Sequence, residues 1–512
     1  VTAVLAQGCL RQGRAGAGRT AGWPTWRRGM AVVNEPPLER LVPRKGWVTA
    51  VRSSKEKQER LTTLPASPWV SADEVPKGAE TLCLSTSERH QVFLGFGGSF
   101  TESSAELFAR ARPELQARVA AAYYSQDVGL GYRFGRVHMN SCDFSAGNWS
   151  CCDLPGDVGL RSFSIERYHR AIIPMVRRAA QAAGAPLLLL ASPWSPPAWM
   201  KSGGMMRGGC LLPQFRESWA RFFVYFAREF EAEGLPLWGM TVQNEPEAVT
   251  PWETCYFTEG QERDFIRDHL GPALEAHGLS EAVRLIAWDH NRDRMYARAR
   301  AIYGDAAAAK YVWGLGFHWY QGSFMNVLRV HQLRPDKHLI FTEGCQEGGP
   351  HIGSWFCGER YGKNIIMDLN HWTEAWIDWN LLLDENGGPN HAGNPCSAPI
   401  MFDTANDRLL FNPSYYFIGH FSRFVRPGAT RIACQTACKA LTATAFVNID
   451  GTVAVVVLND TRADADFWIV ASGRAAEATA PARSISTFTL LASDLPRPAA
   501  GEPAAQEGRP DA

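Results

Sequence analysis

Leu237-Trp238-Gly239-Met240-Thr241-Val242-Gln243-Asn244-Glu245-Pro246 is the stretch whose reading decides the fold. A short, largely apolar run of this length suits a buried parallel strand. It ends on Gln243-Asn244-Glu245, and Pro246 has no N–H with which to continue a ladder. A carboxyl is therefore set down where a strand stops. A turn carrying a surface Glu has the same local sequence, so the neighbours must decide.

Seven more runs of the same kind flank it. Those at 92–100, 132–139 and 186–192 precede it, and those at 284–289, 314–319, 338–342 and 376–382 follow. Segments 101–124, 165–183, 214–233 and 261–277 repeat apolar residues at three- and four-residue spacing, the pattern of amphipathic helices. Strand and helix in alternation imply a parallel sheet. Eight units over about 300 residues predict an α/β fold of the (β/α)8 TIM-barrel type. Residues 429–491 differ. The segments 441–447, 453–458, 466–470 and 484–491 are short, β-branched or aromatic, and separated by turns such as Asp450-Gly451. They predict an antiparallel β side domain, which residues 47–51 are expected to join from the other end of the chain.

The expected division is a non-structural extension over 1–29, the first part of the β side domain over 30–89, the catalytic barrel over 90–400, the rest of the side domain over 401–494, and a disordered tail over 495–512. Residues 1–29 carry many Arg and Gly, no Asp or Glu, and no apolar core of a secretory signal. Met30 is read as the true start. A cytoplasmic location is the expectation, with secretion left open.

The 512 residues hold 52 Lys+Arg against 52 Asp+Glu. A dedicated nucleic-acid binder would carry a basic excess, so no nucleic-acid partner is expected. The longest apolar runs are far below the ~20 residues of a membrane span, so no integral membrane segment is expected either. Twelve Cys lie between Cys9 and Cys438, without a C-x-x-C pair or a Cys/His cluster at zinc spacing. No metal is expected. Cys151-Cys152 and Cys434/Cys438 are spaced to bridge in an oxidising compartment, though free thiols are the plainer reading. Eighteen Trp is a surplus that composition alone assigns to core, interface or sugar-stacking surface.

Reacting residues of a (β/α)8 barrel sit at the C-terminal ends of its strands. The seventh run ends Phe341-Thr342-Glu343-Gly344. Strands four and seven face one another across the mouth, so Glu245 and Glu343 can approach to the ~5–5.5 Å of a retaining glycosidase. One carboxyl must be protonated and the other ionised, and like-charge proximity separates the two. Asn244 can bond a sugar 2-hydroxyl beside Glu245, which makes Glu245 the acid/base and Glu343 the nucleophile. Tyr320 either reaches Glu343 or lines the wall. Asp143 either accepts from sugar hydroxyls or builds a turn. Arg136, inside the second run, needs a carboxylate partner if buried, and Glu343 or another mouth acid would serve. Trp194 and Trp199 lie in a Pro-stiffened loop suited to a sugar platform. The eighth run holds Trp376 and Trp379, so the Trp surplus is read partly as the wall of a glycan site.

Together these motifs resemble glycoside hydrolase family 30, in its glucosylceramidase (acid β-glucosidase) branch. The matching stretches are Phe96-Gly97-Gly98-Ser99-Phe100-Thr101-Glu102, Ser141-Cys142-Asp143-Phe144-Ser145, Ala191-Ser192-Pro193-Trp194, Gln243-Asn244-Glu245-Pro246, His318-Trp319-Tyr320, Phe341-Thr342-Glu343, and Trp379-Asn380-Leu381 with Gly387-Gly388-Pro389-Asn390. The resemblance implies a β-sandwich-like side domain built from both chain ends, retention through a glycosyl-enzyme intermediate, and no cofactor. It places the acid/base on Glu245, the nucleophile on Glu343, and sugar contacts on Asp143, Trp194, Asn244, Trp379 and Asn394, with Tyr320 on the aglycone side. The expected partner is a carbohydrate or glycolipid substrate. A β-glucosidase or glucosylceramidase is the first reading, and a β-xylosidase or β-1,6-glucanase of the same family is the rival. A sugar-binding protein without turnover is disfavoured because both carboxylates are present.

Overall fold

The computed structural model describes residue 41 and residues 43–495. The expectations for 1–29 and for the tail beyond 495 lie outside the described residues.

Eight parallel strands close into a barrel: Gly95–Ser99, Phe134–Met139, Leu188–Pro193, Leu237–Thr241, Arg284–Asn291, Val312–His318, His338–Glu343 and Ala375–Asn380. The last pairs with the first, Ala375 opposite Gly95 and Trp376 opposite Phe96. Each strand coincides with one of the eight apolar runs. Phe134, Leu190, Ile286, Ile340, Ala375 and Ile377, from five of the eight strands, pack in the interior. Gly97 is required by close approach. A Cβ there would lie 2.4 Å from the backbone oxygen of Phe134 on the next strand.

Two helical segments deviate from a single regular helix for proline reasons. Residues 101–124 form two helices, Glu102–Arg110 and Pro113–Tyr124. Pro113 disfavours helical backbone at Arg112 and sits instead as the first residue of the second helix. Residues 261–277 widen to a π-helical turn over Ile266–Leu270, just before Pro272, whose ring nitrogen has no hydrogen to donate.

A ten-stranded sheet draws on both ends of the described chain. Trp47–Ser54 lies between Glu59–Pro68 and Ser484–Leu491, and Thr81–Val92 lies between Thr430–Thr436 and Ala465–Ala471. The sheet curls on itself. Phe467 and Phe488, with four strands between theirs in its order, meet edge to face at 5.9 Å. The run Thr452–Asn459 is buried on both faces. Val453, Val455 and Val457 enter the side-domain core, while Ala454, Val456 and Leu458 join the large core shared with the barrel. This is why the run alternates no polar residues.

Residues 401–429 do not belong to that sheet, contrary to the boundary expected at 400/401. Ile400–Asp403 pairs with Leu382–Asp384 on one side and Arg408–Phe411 on the other, in a separate three-stranded sheet beside the barrel. Pro413 then opens the helix Pro413–Ser422, buried along its length, where Phe417 packs on Trp355. The β-rich composition of 400–411 resembles a sandwich strand locally, but its partners are barrel-side.

Candidate active site

Arg136 organises the mouth. It lies on the second strand with its side chain fully buried. Its guanidinium donates Nε to Ser192 Oγ (3.0 Å), Nη1 to Glu343 Oε2 (2.7 Å), and Nη2 to both Asn244 Oδ1 (2.8 Å) and Asp289 Oδ2 (2.9 Å). Trp194 and Trp379 stack at 5.2 Å, and Arg136 lies 4.8 and 5.4 Å from their ring centres. One cation thus ties together the ends of strands two, three, four, five and seven. Replacing Arg136 by Met is expected to cost about 3–5 kcal/mol of stability, because Asp289 and Glu343 would be left buried without a counter-charge. A urea-unfolding midpoint equal to that of the parent would contradict this.

Glu343 ends the seventh strand and also accepts from the Tyr320 hydroxyl at Oε1 (3.0 Å). Glu245 follows the fourth strand in left-handed backbone, φ +48°, fixed by its own N–H to Asp289 O (2.9 Å). Strained backbone of this kind persists only where its surroundings hold it. An oxygen of Glu245, an oxygen of Glu343 and Nδ1 of His318 all lie within 4.8 Å of one another. That separation falls on the short side of the two glycosidase geometries, which differ between ~5–5.5 Å and ~6.5–9.5 Å. The trio is the one group among the described residues with metal-ligand spacing. Its members are already engaged, Glu343 by Arg136 and Tyr320 and His318 by two carboxylates.

His318 and Asp289 escaped the sequence reading. His318 donates Nε2 to Asp289 Oδ1 (3.0 Å) and Nδ1 to Glu245 Oε1 (3.1 Å). Asp289 further accepts from Thr241 and Thr342 hydroxyls. Trp288 and Asp289 both have positive φ, and the pairing of strands five and six slips at this point. The resulting bulge re-aims the chain at the mouth. The signal was present: the fifth apolar run also ends on a carboxyl, as the fourth and seventh do.

Charges follow from these contacts. Burial disfavours the Asp289 carboxylate, but Arg136 and His318 outweigh it and hold the group well below the usual carboxylate range. Burial opposes protonation of His318, yet Glu343, Asp289 and Glu245 push it up to about 9. Burial also opposes charge on Glu245, and His290 and His318 overcome it, leaving the net shift downward. For Glu343 burial prevails over His318 and Arg136, and the net shift is upward. The hydrogen bonds nonetheless suit the roles expected for the two carboxyls. Glu343 receives a charged donor at 2.7 Å and a phenol, both of which favour its anion, whereas Glu245 faces a proton carrier.

The remaining residues divide. Asp143 follows the second strand, is buried, and accepts from Asn394 Nδ2 (3.1 Å); burial and the nearby Glu343 push its carboxyl well up. Asn244 presents its oxygen to Arg136, which leaves its amide nitrogen as a donor. Trp194 is only 2% exposed, so it is a buried wall under Arg136 and not an open platform. Trp199 turns away to Phe215 and donates to Cys152 O. Trp376 is fully buried, stacked on Phe341 at 4.3 Å. The Trp surplus therefore serves core packing more than sugar contact.

A closed parallel barrel with paired carboxyls at the C-terminal ends of strands four and seven defines a glycosidase. The profile of the glycosyl hydrolase family 30 TIM-barrel domain matches residues 93–425, and that of the family's β-sandwich domain matches 428–488. Lysosomal acid glucosylceramidase of Mus musculus is 34% identical over 408 residues, covering 76% of this chain and 79% of that protein. The crystal structure of SrfJ from Salmonella typhimurium superposes with a TM-score of 0.83 at 32% identity, covering 87% of this chain and 99% of that one. The endo-β1,6-glucanase BT3312 superposes with a TM-score of 0.78 at 27% identity, with the same coverage. The chain belongs to glycosyl hydrolase family 30.

Proposed function

We propose that the protein releases β-linked glucose from a glucosylceramide-like glycolipid by double displacement, with retention at the anomeric carbon. The observation that carries the reading is the carboxylate pair within 4.8 Å, with Arg136 and Tyr320 on Glu343 and His318 on Glu245. Glu343 attacks the anomeric carbon as the C–O bond to the aglycone breaks. Glu245 gives its proton to the departing oxygen, then takes one from the water that releases glucose. The proton rests between His318 and Glu245. Moving it across their 3.1 Å hydrogen bond converts the ion pair into neutral imidazole and carboxylic acid, the form the first step uses. Asp143, Asn244 and Asn394 supply hydroxyl partners for the sugar.

A lipid aglycone is supported by apolar side chains on the loops that follow strands two, three and four and on the first turn of the helix that follows strand seven. Leu154, Met205, Val249 and Phe356 are 59%, 53%, 88% and 59% exposed. Single exposed apolar residues are ordinary, but four on one end of a barrel favour a partner with apolar surface. Incubation with glucosylceramide in detergent micelles, an aryl β-glucoside, an aryl β-xyloside and a β-1,6-glucan tests the proposal. Free glucose from the first two is expected. Turnover of the β-1,6-glucan or the xyloside alone would overturn it.

A further inference from the structure

All eleven cysteines among the described residues are free thiols, including the four that sequence spacing singled out. The close pair is a different one. Cys345 lies two residues beyond Glu343, and Cys396 lies in the loop that follows the eighth strand. Their sulfurs are 3.3 Å apart, Cys345 donating to Cys396, and both are buried. Their backbones are already tied: Gln346-Glu347 pairs antiparallel with Cys396-Ser397, and Gly348 and Gly349 donate to Pro395 O. The Cys345 sulfur also lies 3.6 Å from the Tyr320 hydroxyl, the same hydroxyl that bonds Glu343. On the other side, Asn394 of the Cys396 loop donates to Asp143. The two sulfurs thus bridge the strand-seven loop and the loop that reaches Asp143.

We propose that Cys345 and Cys396 are a reversible dithiol/disulfide site whose oxidation by a peroxide slows hydrolysis. One thiolate attacks the peroxide, breaking O–O and leaving a sulfenic acid and water. The second thiol then displaces a second water from that sulfur and forms S–S. Two thiols lose two electrons and two protons, and one hydrogen peroxide becomes two waters. Bond formation requires the sulfurs to close from 3.3 Å to about 2.0 Å, which draws Cys345 off Tyr320 and pulls on the chain two residues from Glu343. Displacements approaching 1 Å near a reacting group cost on the order of 10-fold to 100-fold in rate. The Cys396 thiol and burial hold Cys345 well above the usual thiol range, so thiolate is scarce and oxidation is slow.

The full-length protein would be held in hydrogen peroxide for hours at mildly alkaline pH, then denatured, alkylated and mapped by mass spectrometry. A Cys345–Cys396 cross-linked peptide is expected, lighter by two hydrogens and lost on dithiothreitol. Aryl β-glucoside turnover should fall about 10-fold and return with the reductant. Cys396→Ser should keep the parent rate before peroxide and give no cross-linked peptide after it. The peptide map does not depend on which glycoside is the substrate. Recovery of both residues as alkylated thiols once exposed Cys83 is oxidised would overturn the proposal. So would a cross-linked chain at full rate.

Discussion

Glu343→Gln is expected to lower turnover of an aryl β-glucoside by roughly 10⁴-fold or more. The amide keeps the volume of the carboxyl and can still accept from Tyr320. It removes the negative charge that Arg136 pairs at 2.7 Å and leaves no nucleophile for the anomeric carbon. The residual rate would come from positioning and from Glu245 alone. Glu343→Ala makes a sharper test, because it opens space below the anomeric carbon. A small anion such as azide can then enter from that side, and the product should be the α-glycosyl azide, inverted once because only one displacement has occurred. A Glu343→Gln chain that retains a tenth of the parent rate, checked to be free of parent contamination, would remove Glu343 from the role. A β-configured azide product from Glu343→Ala would do the same.

Loss of Glu245 should depend on what is being expelled. For a lipid or alkyl glucoside the departing alkoxide needs a proton, and Glu245→Gln is expected to cost about 10²–10⁴-fold. For a dinitrophenyl glucoside, whose leaving group departs as an anion, the first step should be nearly untouched. The pH profile follows the same logic. In the parent, the acid limb marks protonation of Glu343. Arg136 and Tyr320 favour its anion against the burial that pushes the carboxyl up, so the limb should lie on the acid side of neutrality. The alkaline limb marks loss of the proton shared by His318 and Glu245, which His318 holds up to about pH 9. Rate is therefore present between these limits, lost below as Glu343 gains a proton and lost above as the pair gives one up. In Glu245→Gln with the dinitrophenyl substrate the alkaline limb should disappear. A profile identical to the parent's would show that the limb belongs to another group.

The barrel was legible because each strand is buried on both sides and so appears as an apolar run, and because eight such runs alternate with helical periodicity. Glu245 and Glu343 were legible for a local reason, a carboxyl directly after such a run. Asp289 had the same signature, but its inward aim depends on two left-handed residues and a bulge, which no periodicity announces. His318 closes a strand as an ordinary aromatic would, and its importance comes only from the two carboxylates that converge on it. Trp194 and Trp376 misled for the opposite reason. A Trp at a strand end looks available, and only packing shows that Arg136 or Phe341 has covered its face. The boundary after residue 400 was missed because a short β hairpin reads alike whichever sheet it joins.

The ten-stranded sheet has a consequence for synthesis. Trp47–Ser54 hydrogen-bonds to Ser484–Leu491, and the Gly46 N–H reaches the Asp494 carboxylate at 2.9 Å. The early strand leaves the ribosome with its neighbour still more than four hundred residues away, a wait of about 20–90 s at ~5–20 residues per second. Throughout that interval one edge of the hairpin 47–68 is unsatisfied, while the whole barrel emerges and can close behind it. The barrel is in effect an insertion within the sheet, and the last strand to be made is the one that seals the first.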